Sequence, residues 1–302
     1  MRNQFAATLL EQAGMIPELV LLSGDIGNRL FDPFKQAYPE RFFNCGIAEA
    51  AMTGVAAGMA MTGLRPVTYT IASFNSYRCY EQIRLDVCCH NLPVIIAAVG
   101  AGLSYAPLNP THHSLEDLAL MRVLPNMTVL NPADSLELSA LLKQAIRHDG
   151  PVYLRFGKKN EPKIHEQEPE LKIGQWLQLR EGDPSRPVLL SSGIITPEAV
   201  KAADELVAEL WSCPSIKPLD DKVLLQLAKE KRRIVTIEEH SIRGGFGSAV
   251  SEFYAEHGML VHHLAIGTPD RFLFNSASVA AVRQETGLDA DSLVKRIGAV
   301  ER

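Results

Sequence analysis

Glu49 is the only charged residue in the run NCGIAEAAMTGVAAGMAMTG, which spans residues 44–63. A carboxyl in the first turn of a helix is favoured by the helix dipole; if it is also buried, it can hold or shift a proton against a bound heterocycle. Downstream, Phe74, Tyr77 and Tyr80 recur every three residues, a spacing that gathers their rings near one helix face and could stack a flat ring system. Thr111-His112-His113 follows Pro110 ahead of a helical pattern, and imidazoles near neutrality can donate or accept a substrate proton. The histidine pair lacks a suitably spaced third ligand for a metal. Asp25 closes the apolar run LVLLSG, as a turn residue or as part of the same centre. Arg2, Arg29 and Lys158 are candidates for an anion clamp. Gly244-Gly245-Phe246-Gly247 lacks the spacing of a dinucleotide fingerprint and reads as a tight strand-to-helix turn. The cysteines at 45, 79, 88, 89 and 213 include no pair two residues apart, so they read as reduced thiols, not as a disulfide frame or zinc site. Cys45, nearest the proposed chemistry, reads as small buried filler.

Positioning these groups takes a sheet. Apolar runs read as strands at Leu19–Ser23, Val67–Ile71, Val94–Ala98, Thr128–Leu130 and Val152–Arg155. Helical patterns lie between them, at Gln4–Ala13, Glu49–Met61, Ser76–His90, Leu115–Arg122 and Leu136–His148. Continuous apolar strands alternating with helices imply a mainly parallel sheet covered on both faces, with ligands beyond the strand C-termini. Asp25, Phe74, the loop 100–113 and Lys158 all fall at such ends. Within the Glu49 helix, Gly54 and Gly58 each cost ~1 kcal/mol relative to alanine, which is repaid if another backbone packs closely along that face.

The same alternation recurs in the second half. Strands read at Val188–Ser191, Ile234–Ile237 and Val261–Ala265, and helices at Pro197–Trp211, Asp221–Lys229, Gly247–His257 and within Ala277–Val300. Two α/β domains are therefore expected, at 1–160 and 187–302. The charged, proline-containing stretch 161–186 joins them and carries a short strand near Gln175–Leu179. A length of 302 residues suits two domains, and 46% hydrophobic with 22% charged residues suits a soluble globular protein. A net charge of -5 without a basic stripe argues against nucleic-acid binding. No apolar stretch reaches ~18 residues and no signal-peptide pattern opens the chain, so no membrane association and a cytoplasmic location are expected.

The ordered combination of Gly46-Ile47-Ala48-Glu49, the aromatic triplet, Pro110-Thr111-His112, IKPLD at 216–220 and GGFGSAV at 244–250 resembles the transketolase family of thiamine-diphosphate enzymes, specifically the C-terminal half of such an enzyme. The resemblance implies a pyrimidine-binding domain followed by a transketolase C-terminal domain. It implies that Glu49 hydrogen-bonds a ring nitrogen of the cofactor's aminopyrimidine, favouring the imino tautomer that takes the thiazolium proton. Phe74, Tyr77, Tyr80 and Asp25 would surround that ring, and His112 would touch the sugar hydroxyl next to the carbonyl. Arg2 and Lys158 match family positions that hold a sugar phosphate. Two matches are less good: His113 stands where the family usually has glutamine, and Arg29 where a small hydroxyl residue is common.

Two departures concern the sugar end. Leu108-Asn109 replaces the family's Asp-Gly, and glycine stands near Gly100 in place of a phosphate-contacting histidine. The diphosphate signature, Gly-Asp-Gly with a later asparagine holding Mg2+, is not found in the sequence. The expectation is thus one subunit of a split transketolase, completed by an N-terminal-half subunit that anchors diphosphate and Mg2+, in a dimer of heterodimers acting on sugars or sugar phosphates. A deoxyxylulose-phosphate-synthase-like carboligase and a 2-oxo-acid dehydrogenase β-type subunit are the alternatives, with a non-catalytic partner subunit behind both.

Overall fold

The computed structural model describes residues 1–27, 29–274 and 277–300. The first half runs α1 (Arg2–Met15), β1 (Leu19–Ser23), α2 (Asp32–Ala37), β2 (Phe42–Asn44), α3 (Glu49–Met61), β3 (Arg65–Ile71), α4 (Tyr80–Gln82), β4 (Ile95–Val99), α5 (Asp117–Arg122), β5 (Thr128–Leu130), α6 (Ser135–Ala145) and β6 (Val152–Phe156). The second runs β7 (Leu177–Arg180), β8 (Val188–Ser192), α7 (Thr196–Leu206), β9 (Leu210–Ser212), β10 (Ser215–Lys217), α8 (Asp221–Lys229), β11 (Ile234–Ser241), α9 (Phe246–Glu256), β12 (His263–Thr268), α10 (Val279–Thr286) and α11 (Ala290–Val300). The strands form a seven-stranded sheet, β10-β5-β6-β4-β3-β1-β2, and a five-stranded sheet, β12-β11-β8-β9-β7. Both are parallel except for the edge strands β10 and β7. The expected two α/β units with mainly parallel sheets are what the chain forms.

β1, β3, β4 and β6 are buried along their whole length or nearly so, which is why they read as unbroken apolar runs. Helices cover both faces, with one core under α3 and the other under α1 and α6. Among the described residues no helix is long and apolar enough to cross a membrane.

Several elements differ from the sequence reading. The segment expected as a helix over Ser76–His90 begins as turns, becomes helical only at Tyr80 and continues as a π-helix over Ile83–Cys88. The helix expected to reach Trp211 stops at Leu206, because Val207 turns left-handed at φ 52° and the chain then enters β9. The proline-flanked α2 and the three-residue β2, too short for periodicity to show, were not expected. The strand expected near Gln175–Leu179 forms as β7, at the edge of the second sheet, whereas β10, which was not expected, crosses to pair with β5 of the first.

Candidate active site

Glu49 is the first residue of α3 and is only 5% exposed. Strand β2 and a tight loop aim it. Asn44 Nδ2 donates to Asp25 at 3.1 Å, Gly46 N donates to Asn44 Oδ1 at 2.9 Å, and Asp25 N donates to Gly46 O at 3.2 Å. Gly46 takes φ 68°, a conformation that costs residues with a side chain. Asp25 is itself exposed, so its visible work is to fasten the β1 exit to the loop presenting Glu49. Cys45 in that loop is partly buried, and burial pushes its thiol pKa up, away from nucleophilic thiolate.

Arg78, not singled out by the sequence reading, lies over the site. Its guanidinium approaches the Glu49 carboxyl oxygens at 3.3 and 3.5 Å and sits 4.0 Å from the centre of the Phe74 ring. Phe74 meets His112 edge-on at 5.1 Å, and His112 faces the Tyr105 ring at 5.8 Å. Lys158 Nζ stands 4.2 Å over that ring. Glu49, Arg78, Phe74, His112, Tyr105 and Lys158 therefore form one continuous wall along the C-terminal edge of the first sheet. The only hint of Arg78 in the sequence was a cation inside the aromatic triplet; Tyr105 gave no periodic signal.

The three aromatics do not share one face. Because residues 73–79 form turns, Tyr77 and Tyr80 diverge from Phe74. With Pro110, His113, Leu115 and Phe272 they line a cavity of about 460 Å³. Tyr77 Oη donates to Glu116 Oε2 at 2.7 Å and Tyr80 Oη donates to Leu120 O at 3.1 Å, which ties the aromatic segment to α5 and the loop before it.

The histidines have different surroundings. The Thr111 hydroxyl donates to Leu108 O at 2.9 Å, so its 2.8 Å contact with His112 must be donated by Nδ1–H of the imidazole. That tautomer leaves His112 Nε2 as a proton acceptor. Burial, followed by the charges of Arg78, His113 and Lys158, lowers the His112 pKa and favours this neutral form. His113 is buried, with Nε2 against Ala106 O at 3.2 Å and Nδ1 without a partner among the described residues.

Arg2 and Arg29 line one cavity of about 510 Å³, and Lys158 borders another of about 580 Å³ with Ser104, Pro107 and Arg283. Arg29 is exposed, whereas the Lys158 pKa is held down by burial first and then by the charges of Lys159 and Arg2. No group of three or more His, Cys, Asp or Glu suited to a metal occurs among the described residues.

The loop bearing His112 is held from the second unit. Glu239 on β11 accepts from Leu103 N at 2.8 Å and from Arg283 Nε at 2.6 Å, and its carbonyl accepts from Arg155 at 2.6 Å. Arg155 also meets Asp117 at 2.6 Å, and both are buried. Charges inside otherwise apolar strands, as in VYLRF and IVTIEEHS, were the available signal for this joint. The Gly-rich turn at 244–247 is occupied by the chain's own Glu238, which accepts from Phe246 N at 2.7 Å and Gly247 N at 2.8 Å at the start of α9.

Comparison with known proteins identifies the family. The transketolase pyrimidine-binding domain matches residues 1–163 and the transketolase C-terminal domain residues 174–293. An apulose-4-phosphate transketolase subunit of Actinobacillus succinogenes is 36% identical, over 87% of this chain and 85% of its own. A putative transketolase C-terminal section of Methanocaldococcus jannaschii is 35% identical, over 98% and 95%. The chain also matches 1-deoxy-D-xylulose-5-phosphate synthase of Thermomicrobium roseum at 38% identity, but spans only 48% of it. A solved split-gene transketolase, in an inactive beta4 tetramer, superposes with a TM-score of 0.87 at 35% identity over 100% of this chain and 98% of that one. Matched in both domains, and by relatives of nearly its own extent, the chain belongs to the transketolase family, as a transketolase-type subunit.

Proposed function

We propose that this subunit, joined to a separate chain carrying a diphosphate-binding domain, transfers a two-carbon ketol unit from a ketose to an aldose with thiamine diphosphate. The observation that carries this reading is Glu49, nine-tenths or more buried at the head of α3, with Arg78 reaching both its carboxyl and the half-buried ring of Phe74. A buried carboxyl beside an aromatic face fits the aminopyrimidine end of that cofactor. Bound there, the cofactor supplies the carbanion chemistry. The chain's own residues do the rest: Glu49 holds a proton against a ring nitrogen, Phe74 covers the heterocycle and excludes water, and His112 Nε2 takes the proton from the sugar hydroxyl beside the breaking bond.

Diphosphate and Mg2+ would be anchored mainly by the other chain. The apulose-4-phosphate transketolase subunit and the inactive beta4 tetramer support a chain that associates yet needs a second one for activity. The outer side of α3 is suited to such contact: Ile47 just ahead of it, Val55 and Met61 are exposed, and no atom lies within 4 Å of a Cβ added at Gly58. The arrangement proposed is a dimer of heterodimers, cytoplasmic, with sugar or sugar-phosphate substrates. The test is reconstitution: the two chains together should transfer ketol units and this chain alone should not. Turnover by the isolated chain would refute the split arrangement. The synthase relatives favour one second reading, a carboligase that decarboxylates pyruvate; carbon dioxide released from pyruvate by the reconstituted enzyme would establish it instead.

A further inference from the structure

The carbonyls of Leu108 and Asn109 and the hydroxyl of Thr111 make a small frame around His112. The chain passes through a 3-10 segment, Ala106–Thr111, that ends on the histidine. Within it Asn109 takes φ 62° and ψ -164°, a conformation rare outside glycine. Its carbonyl accepts from His112 N at 3.0 Å and from His113 N at 3.1 Å, which fixes the backbone of the pair. The carbonyl of Leu108 accepts the Thr111 hydroxyl proton at 2.9 Å. Thr111 Oγ1 is left with lone pairs only, 2.8 Å from His112 Nδ1. Thr111 is held in turn from the segment after β3, where Ser73 Oγ lies 3.5 Å from its carbonyl oxygen. The rings of Phe74 and Tyr105 flank the imidazole at 5.1 and 5.8 Å. Aromatic walls can hold the plane of an imidazole, but a directed hydrogen bond is what chooses between its two nitrogens.

Resting on the reading of His112 as the base at the sugar hydroxyl, we infer that Thr111 is the positioning residue that makes His112 a base: it holds the imidazole proton on Nδ1 and so keeps Nε2 unprotonated for the sugar. In the transfer the sugar O–H bond breaks, an N–H bond forms at Nε2, and the electron pair stays on the sugar oxygen. The ring is then an imidazolium that still donates from Nδ1 to Thr111 Oγ1, and that bond becomes charge-assisted and stronger. The contact stabilises the protonated ring more than the neutral one, and an interaction that strengthens along the reaction raises kcat.

The test has a spectroscopic and a kinetic arm. The full chain is labelled with 15N-histidine and its imidazole tautomers are read at about pH 8, above the ordinary histidine pKa of about 6.5; His112→Asn identifies the His112 signals by their loss. Wild type should carry the proton on Nδ1, Thr111→Val should shift it toward Nε2, and Thr111→Ser, which keeps a hydroxyl, should resemble wild type. In the complex reconstituted with the diphosphate-binding chain, Thr111→Val should lower kcat about tenfold or more with KM nearly unchanged, and Thr111→Ser should restore most of the rate. A wild-type ring protonated on Nε2, a valine variant with an unmoved tautomer or an unmoved kcat, or a serine variant as impaired as the valine one would each overturn the inference while leaving ketol transfer standing. A wild-type complex that transfers no ketol unit would instead overturn the functional reading, and the spectra would still decide whether Thr111 sets the tautomer.

Discussion

Arg78 and Glu49, 29 residues apart in the chain, meet with a guanidinium nitrogen 3.3 Å from a carboxyl oxygen, at the point where the cofactor's pyrimidine is proposed to bind. Arg78 is half-exposed and Glu49 is not, so the contact closes the carboxyl from the solvent side. A heterocycle using the same oxygens has to displace it. Because Arg78 is half in solvent, the pair is screened on its side and contributes about 1 kcal/mol, which makes the displacement inexpensive. Arg78→Met, which keeps apolar cover over Phe74, should tighten thiamine diphosphate binding in the assembled enzyme by up to about fivefold. Isothermal titration measures this, and weaker binding would show that Arg78 helps hold the cofactor.

Glu49→Gln keeps the shape of the site but loses the acidic proton. Ketol transfer by the reconstituted enzyme should fall by ~3–5 kcal/mol in barrier terms, about two to four orders of magnitude in kcat. Near-full activity would remove Glu49 from the catalytic role.

His112 works as the neutral imidazole in this scheme, and its pKa is lowered by burial first and by Arg78 next. A lowered pKa keeps the base form present into mildly acid solution, so the acid limb of kcat/KM should fall below the ordinary histidine value of about 6.5. Removing the Arg78 charge with the methionine variant should move that limb toward higher pH. A pH–rate profile that does not move would separate His112 from the limb.

His263, between the hydroxyls of Thr236 and Ser251, has its pKa lowered by burial to about 4. The folded state then binds fewer protons than the unfolded chain. The group's contribution to stability is present above about pH 6.5 and is lost as the pH falls toward the folded value. That loss should reach about 2–3 kcal/mol near pH 4. Denaturant melts of His263→Gln should show a shallower decline with acidification; an identical pH slope would contradict the assignment.

Arg155 joins Asp117 to the backbone of Glu239 in the buried joint between the two units. Arg155→Leu strands a buried carboxylate and should cost about 3–5 kcal/mol, lowering Tm by roughly 10 °C. A change of under about 2 °C would mean the charge pair is not what holds the joint.

Gly58 faces open space on α3. Gly58→Ala should stabilise the isolated subunit by up to about 1 kcal/mol, whereas Gly58→Leu should weaken assembly about tenfold or more if another chain packs on this face. Denaturant melts measure the first and sedimentation the second, and unchanged association of the leucine variant would place the interface elsewhere.

Local patterning settled most of the frame. Continuous apolar strands alternating with helices imply a parallel sheet whatever the details, and that topology puts Asp25, Phe74, the 100–113 loop and Lys158 at one edge. The Glu49 helix was legible to its end residues, because both its charge and its small side chains are local features. Tertiary contacts decided what lines the wall. Turns at 73–79 split the aromatic triplet that even spacing had put together. The guanidinium of Arg78 reached back to Glu49, and the ring of Tyr105 filled the space beside Gly100. β10 left its own half of the chain to pair with β5. Periodicity reports which face a residue occupies within one element, and each of these outcomes was fixed by atoms from distant elements competing for the same volume or the same hydrogen bond.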